Sequence, residues 1–319
     1  MSKFPISQLI KVAELYYYRK MSQKEISLEL NISPATVSRM FQEALNIGLV
    51  KVEIREISGD FQQLARELEA RYGLEKAVVV QSPEQKNDWH LKKLLGKAAS
   101  ELFYETAKSG DLIGIGPGET MLETISSLHY ESALMDVHLL PLMGGWGSAL
   151  LQRENNKLVI TMASILQCDY SLVPAPAFVS SPEVKEIFLR EDQVKHVTQL
   201  WADLDLALFS IGPELKRNMY TTLAPDQNDI ANTEKVVGDI VGKLIDGAGN
   251  ELDHVYNKKI ISIPFSLLKQ VPKRIGVGGG PYKYRALKGA LKGRFFNYLV
   301  TDHNTATRIL ESGDDIDSI

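Results

Sequence analysis

Cysteine is almost absent from this 319-residue chain. Cys168 stands alone, which excludes an intramolecular disulfide and a cysteine-based zinc site. No apolar run approaches the roughly 20 residues of a membrane-crossing helix. The start, MSKFPISQLIK, has no apolar core of the kind a secretory signal needs. The expected compartment is therefore the cytoplasm. The six histidines (His90, His129, His138, His196, His254, His303) show no metal-ligand spacing, so no metal is expected. A strong net charge is missing as well: 36 Lys and Arg against 40 Asp and Glu leave −4. What remains is an ordinary globular composition, 44% hydrophobic and 24% charged, with length for two or three domains.

The small total charge hides an asymmetry. Residues 1–56 carry eight Lys and Arg against six Asp and Glu, while the rest carries 28 against 34. A slightly basic head on an acidic body fits a DNA-binding module fused to a sensor.

The local pattern of the head is more telling. Ile6, Leu9, Ile10, Ala13 and Leu15 have near-helical spacing and predict a first helix closed by Tyr16–Lys20. Ser22 followed by Glu25 is a capping-box start for a second helix. Asn31 suits a left-handed turn residue, and Ser33 with Pro34 opens a third helix. Ile26, Leu30, Ile32, Val37 and Met40 are spaced to meet in one core, and small Ser27 lets the helix axes approach. The result is a helix-turn-helix. Its third helix would present Ala35, Thr36, Ser38, Arg39 and Gln42 to a major groove, with Arg39 the candidate for guanine. Ser22 and Gln23 would meet phosphate at the start of the second helix, and Ser33 belongs to the same DNA-facing set. Val52, Ile54 and Ile57 alternate as a short strand, a wing or the lead into the linker.

Organisation follows as a DNA-binding domain over 1–57, a linker helix over 58–73, an effector-binding and oligomerisation domain over 74–312, and a polar tail over 313–319. The linker helix carries Phe61, Leu64, Ala65, Leu68 and Tyr72 up to Gly73, an apolar side available to the same helix of another subunit. From Lys76 the chain alternates strand-like runs (AVVV, LIGIG, VHLLPLM, LDLALFSIG, IISI, RIGVGGG, NYLVTD) with helix-length segments. That rhythm predicts βαβ units in a doubly wound, mostly parallel α/β sheet, whose ligand sits outside the carboxyl ends of the strands.

Three strand ends lead into glycines. Gly116-Pro117-Gly118 precedes Glu119, Thr120 and Met121, where free N–H groups and the Thr120 hydroxyl suit a phosphate. Gly144-Gly145 repeats the arrangement, and Gly276 through Gly280 leads to Lys283, placed one turn into the next helix. Trp89, Trp146 and Trp201 are assigned to packing, with Trp146 as an alternative lining residue beside Gly145.

In their order and spacing, QKEISLELNISPATVSRMFQEALNIGLVKVEI, GIGPGET, PLMGG, VPAPAFVSSPE, DLALFSIG and GGGPYKYRALKGALKGRFFNYLVTDHNTATRIL resemble the SorC family of bacterial sugar-responsive transcriptional regulators over nearly the whole chain. The resemblance implies a winged-type head and a Rossmann-like effector domain related to sugar-phosphate isomerases and deaminases. It implies operator DNA and a phosphorylated sugar or polyol as partners, a homotetramer, and no cofactor. By motif it places phosphate on Gly116, Gly118, Thr120 and Lys283, with Glu119, Met121, Gly144, Gly145, Gly279 and Gly280 around it. Sugar hydroxyls would meet Asp246 and the backbone at Pro174, Ala175 and Pro176. Two other readings stay open. One is an isomerase- or deaminase-like enzyme with a DNA-binding head, against which Ser210-Ile211-Gly212 is followed by Pro213-Glu214-Leu215-Lys216 without the deaminases' Asp and His. The other is a regulator sensing an unphosphorylated ligand or a protein.

Overall fold

The computed structural model describes residues 4–50, 59–83, 88–132, 134, 136–146, 154–213 and 235–312. The chain divides into two compact units, Met1–Ile57 and Ser58–Ile319. The expected strand through Val52, Ile54 and Ile57, the 313–319 tail and Glu214-Leu215-Lys216 lie outside the described residues.

The first unit holds α1 (Ile6–Tyr17), α2 (Gln23–Leu30) and α3 (Pro34–Asn46). Ser22 caps α2: its hydroxyl accepts the Glu25 N–H at 3.3 Å, and its own N–H donates to the Glu25 carboxylate at 2.7 Å. Asn31 closes α2 with φ 52° and ψ 45°, the left-handed conformation a tight interhelical turn demands. The Ser27 hydroxyl then donates to the Ile32 carbonyl at 2.6 Å, tying the turn to the helix before it. Ser33 accepts from the Thr36 N–H at 3.1 Å and opens α3 with Pro34 at its first position. Leu9, Val12, Leu15, Ile26, Val37, Met40, Phe41 and Ala44 form the core, with Leu30 and Ile32 half-buried against it. The α1 stripe differs from expectation. It runs Leu9–Val12–Leu15, three residues at a time, which rotates Ile6 and Ile10 out to 59% and 41% exposure.

In the second unit, β1 (Lys76–Val80), β2 (Leu112–Ile115), β3 (His138–Pro141), β4 (Asp169–Tyr170), β5 (Leu206–Gly212), β8 (Lys273–Val277) and β9 (Tyr298–Asp302) pair parallel in the order β1-β9-β8-β5-β2-β3-β4. The end of β5 also pairs antiparallel with β6 (Gly238–Ile240), which turns into β7 (Lys243–Ile245). The mostly parallel expectation holds, with this hairpin as an addition. Ile260–Ile263, expected as a strand, makes only single bridges, Phe178 to Ile260 and Met143 to Ser262. Its carbonyls and N–H groups are shared with separate loops, so no ladder forms.

Both sheet faces are buried, which explains the unbroken apolar runs. Along β5, Leu206 and Leu208 enter one core with α5 (Asp88–Thr106), α6 (Glu119–Ser126) and α7 (Asn155–Leu166). Ala207, Phe209 and Ile211 enter the other, with α12 (Tyr284–Lys292) and α13 (His303–Glu311). The shorter helices in sequence order are α8 (Pro182–Arg190), α9 (Asp192–Gln199), α10 (Val255–Lys259) and α11 (Phe265–Leu268). The apolar side of α4 (Gly59–Tyr72), expected to be available to another subunit, packs in part on the core of its own unit. Leu68 is fully buried, and Phe61, Leu64, Ala65 and Tyr72 pack on the same core as α12 and α13. Trp201 is buried with its indole N–H on the Pro141 carbonyl at 2.9 Å. Trp146 packs on the core, whereas Trp89 is 57% exposed, with the Lys93 ammonium 3.8 Å from its ring centre.

Gly96 sets the crossing of α5 over α6. A Cβ there would stand 2.6 Å from the Glu123 carbonyl carbon and 2.7 Å from the Thr124 nitrogen. Gly96→Val should therefore cost about 1–3 kcal/mol in denaturant unfolding. In the head, Ser22→Ala removes the hydroxyl that accepts the Glu25 N–H while keeping the backbone N–H that donates to the Glu25 carboxylate, and should cost about 0.5–2 kcal/mol, read as an earlier thermal unfolding of α2 by circular dichroism of the whole chain.

Candidate functional site

The DNA-facing set occupies one side of α3. Ala35, Arg39 and Gln42 are exposed, and Thr36 and Ser38 are half-buried. Spacings of four and three residues line up 35, 39 and 42 on one stripe. The Arg39 Nε donates to the Ala35 carbonyl at 3.3 Å, which steadies the side chain and leaves its terminal nitrogens for a bidentate acceptor. Ser33 serves the cap, sharing a hydrogen bond of 2.8 Å with the Thr36 hydroxyl. Ser22 is placed differently from its expected phosphate role. Its hydroxyl donates to Glu25 at 2.8 Å, and these hydrogen bonds, the backbone one foremost, hold the Glu25 carboxyl below its usual range. The start of α2 thus already has its anion, leaving exposed Gln23 as the nearby donor.

In the second unit a cavity of about 340 Å³ opens at the carboxyl ends of β2, β5 and β8. Strand order reverses between β2 and β5, so the connections leaving them diverge, and a crevice forms where doubly wound sheets hold ligands. Gly118, Glu119, Thr120, Gly279, Gly280 and Lys283 line it, as expected from the glycine loops. Gly118 takes φ 123° as the residue before α6 and supplies no side-chain cap, and the start of α6 at Gly118, Glu119 and Thr120 borders the cavity. The Ser210 hydroxyl donates to the Pro117 carbonyl at 2.9 Å and ties the end of β5 to this loop.

Lysines set the electrostatics. Burial alone would lower the Lys92 pKa, but ion pairs with Asp88 and Glu119 carry it above its usual value. Lys283 is pushed the other way, to about 8, first by burial and then by the neighbouring Lys92 charge. Asp239, Asp88 and Glu119 only partly offset this. The position of Lys283 differs slightly from expectation: it is the residue before α12, not one turn inside it. A half-paired cation beside uncapped backbone N–H groups is an arrangement suited to a dianion.

Several expected contributors lie elsewhere. Gly116 is behind the lining, its N–H on the Leu208 carbonyl at 2.8 Å. Met121 is fully buried in the apolar core beneath α6. Gly144 and Gly145 give their N–H groups to the Ile261 and Ala175 carbonyls, both at 2.9 Å, so those donors are spent. Pro174, Ala175 and Pro176 pack with that turn, through the Gly145–Pro176 bridge, outside the cavity lining. Asp246 folds onto its own turn, accepting from the Ala248 and Asn250 N–H groups at 2.9 and 2.8 Å. Gly280 lines the cavity, but its N–H is committed to Asp302 at 2.7 Å.

The structure adds Asp88, Lys92, Ser210, Asp239 and Tyr282 to the lining. Asp239 is 2% exposed and accepts the Gly242 N–H at 3.0 Å across the β6–β7 turn. The resemblance implied Asp246 at this site, whereas the cavity lining contains Asp239 and not Asp246. No local signal marked Asp239, because Val241-Gly242 is not one of the pairs that announce a two-residue hairpin turn.

Residues 56–311 match the family model described as "Putative sugar-binding domain". The chain is 29% identical over 310 residues to the sorbitol operon regulator of Klebsiella pneumoniae, covering 96% of this chain and 98% of that one. It is 27% identical over 304 residues to the deoxyribonucleoside regulator of Bacillus subtilis (strain 168), covering 94% and 96%. The crystal structure of the full-length sorbitol operon regulator SorC from Klebsiella pneumoniae superposes with a TM-score of 0.84 at 28% identity, covering 97% of this chain and 100% of that one. With the family-model match over most of the chain and end-to-end similarity to these regulators, this protein belongs to the SorC family of bacterial sugar-responsive transcriptional regulators.

Proposed function

We propose that this chain is a transcriptional regulator of a carbohydrate-utilisation operon, whose hold on operator DNA is set by a phosphorylated sugar or polyol bound in the cavity between β2, β5 and β8. The observation that carries the reading is Lys283, a desolvated ammonium facing the cavity beside Lys92 and the uncapped start of α6. Holding that charge without an anion costs free energy, and a phosphate offsets the cost. Asp239 would accept from sugar hydroxyls, and so would the Ser210 oxygen, whose own hydrogen is held by the Pro117 carbonyl. The names of the sorbitol and deoxyribonucleoside regulators support a sugar-related effector. In this reading the protein acts in the cytoplasm as a homotetramer, and effector binding shifts the population of subunit arrangements, changing how the heads meet their half-sites. Neither a cofactor nor a metal takes part.

A thermal-shift panel tests the effector class. Phosphorylated pentoses, hexoses and polyols should raise the melting temperature, because a ligand at 100 times its Kd adds roughly 2.7 kcal/mol. The same sugars without phosphate should not. An equal response to both, or an unchanged response in Lys283→Gln, would overturn the phosphate reading.

Lys283 also gives a pH signature. Its folded pKa of about 8 lies below the usual 10.5, so an anion that favours the ammonium draws a proton onto it. Near pH 8, calorimetry in buffers of different ionisation enthalpy should register proton uptake on binding, and affinity should fall as pH rises through 8. Without ligand the sign reverses: the unfolded chain holds more protons between the two values, so stability rises over that window. Lys283→Gln should remove both effects.

On the DNA side, Arg39→Ala should cost about 1–3 kcal/mol on a preferred operator and relax the choice of one base pair. Fluorescence anisotropy on duplexes selected by the wild-type protein measures both.

A further inference from the structure

A second cavity, of about 290 Å³, lies on the same edge of the sheet at the carboxyl ends of β1 and β9. The Gly280-Pro281-Tyr282 segment, which lines both cavities, stands between it and the first, and Asp88 also borders both. Neither the glycine loops nor the phosphate reading accounts for it.

Its charges are unevenly satisfied. Asp302 is 1% exposed, and its two oxygens accept from the Ser82 hydroxyl, the Gly280 N–H, and the Thr305 N–H and hydroxyl. This carboxylate is consumed in capping α13 and holding the Gly280 turn. Asp88 is paired with Lys92. Arg308, one turn further along α13, faces neither carboxylate in an ion pair. Among the described residues its recorded contact is the Tyr284 ring, with the guanidinium carbon 4.1 Å from the ring centre. The ring contact restrains the guanidinium, and among the described residues no ion pair or hydrogen bond takes its N–H groups; a guanidinium can bind a carboxylate or phosphate through two parallel hydrogen bonds. Tyr282, 45% exposed, and Leu91 supply aromatic and apolar wall, and Asn304 adds an amide.

We propose that this second cavity is a binding site for a small anionic metabolite, with its carboxylate or phosphate on Arg308 and a flat or apolar face against Tyr282 and Leu91. The site is separate from the effector cavity and does not depend on what that cavity binds. Because the two share the Gly280-Pro281-Tyr282 wall, and Lys283 follows it directly, occupancy of one bears on the other, reciprocally by linkage.

Benzoate and inorganic phosphate are the probes, titrated into the full chain, with saturation-transfer NMR for benzoate and calorimetry for stoichiometry. Benzoate should fill one site per chain in the wild type and equally in Lys283→Gln. Arg308→Gln should raise its Kd at least about tenfold, and Arg308→Lys by less, since charge remains but the planar fork is gone. Arg308 is exposed, so these substitutions leave the fold intact. In Lys283→Gln, displacement of benzoate by phosphate would show a site open to both anions. Benzoate held against phosphate would show one selective for carboxylates. No benzoate binding, binding indifferent to Arg308→Gln, or binding lost in Lys283→Gln would each overturn the proposal, the last by placing the probe in the first cavity.

Discussion

The burial of β5 on both faces is the constraint on which the second unit depends. Leu206 and Leu208 must find apolar cover on one side, and Ala207, Phe209 and Ile211 on the other. Parallel strands cannot be joined by tight hairpins, so the crossover helices supply that cover. With all the main strands running one way, their carboxyl ends share an edge. Strand order reverses beside β5, with β3 following β2 on one side and β8 following β5 on the other, and a crevice forms at that switch point. The cavity is thus a consequence of packing, and the residues at its rim take their roles from where the strands end.

Charge is then distributed over that rim by what each group can reach. Lys92 sits one turn after Asp88 on α5, within reach of Asp88 and Glu119, and is satisfied without a ligand. Lys283 is held back by the chain entering α12, too desolvated to keep its proton at the usual pH and too far from the carboxylates to be fully paired. The hairpin after the long connection from β5 brings Asp239 to the same place. The result is a cluster of ammonium, carboxylate and hydroxyl groups around the crevice, the lining of a site for a polar ligand.

The head was legible because its determinants are local. A capping box needs only Ser22 and Glu25, three residues apart, and the left-handed turn needs only Asn31. The strands β1, β2, β3, β5, β8 and β9 were legible for a similar reason, since a short apolar run between turn signals marks each one. Ile260–Ile263 shows the limit. It has the composition of a strand, but its partners are scattered loops, and composition says nothing about partners. The α1 face was misjudged by one turn position because Ile6, Ile10 and Val12 are equally apolar, and only the positions of α2 and α3 decide which of them is covered. The hairpin β6–β7 was missed because Val241 and Gly242, both at positive φ, are not the Asn-Gly pair that announces such a turn.

For the cavity, the sequence established which loops carry glycine at strand ends and that one lysine follows the last of them. It could not say which N–H groups remain available. Gly144, Gly145 and Gly280 look like Gly118 in one dimension, yet their hydrogens are spent on Ile261, Ala175 and Asp302. Asp246 and Asp239 are likewise interchangeable as letters, and one closes its own turn while the other lines the crevice. Local chemistry therefore fixed the elements and the kinds of group at their ends. Tertiary packing decided which of those groups had already found a partner within the protein, because hydrogen-bond saturation and desolvation depend on neighbours tens or hundreds of residues away.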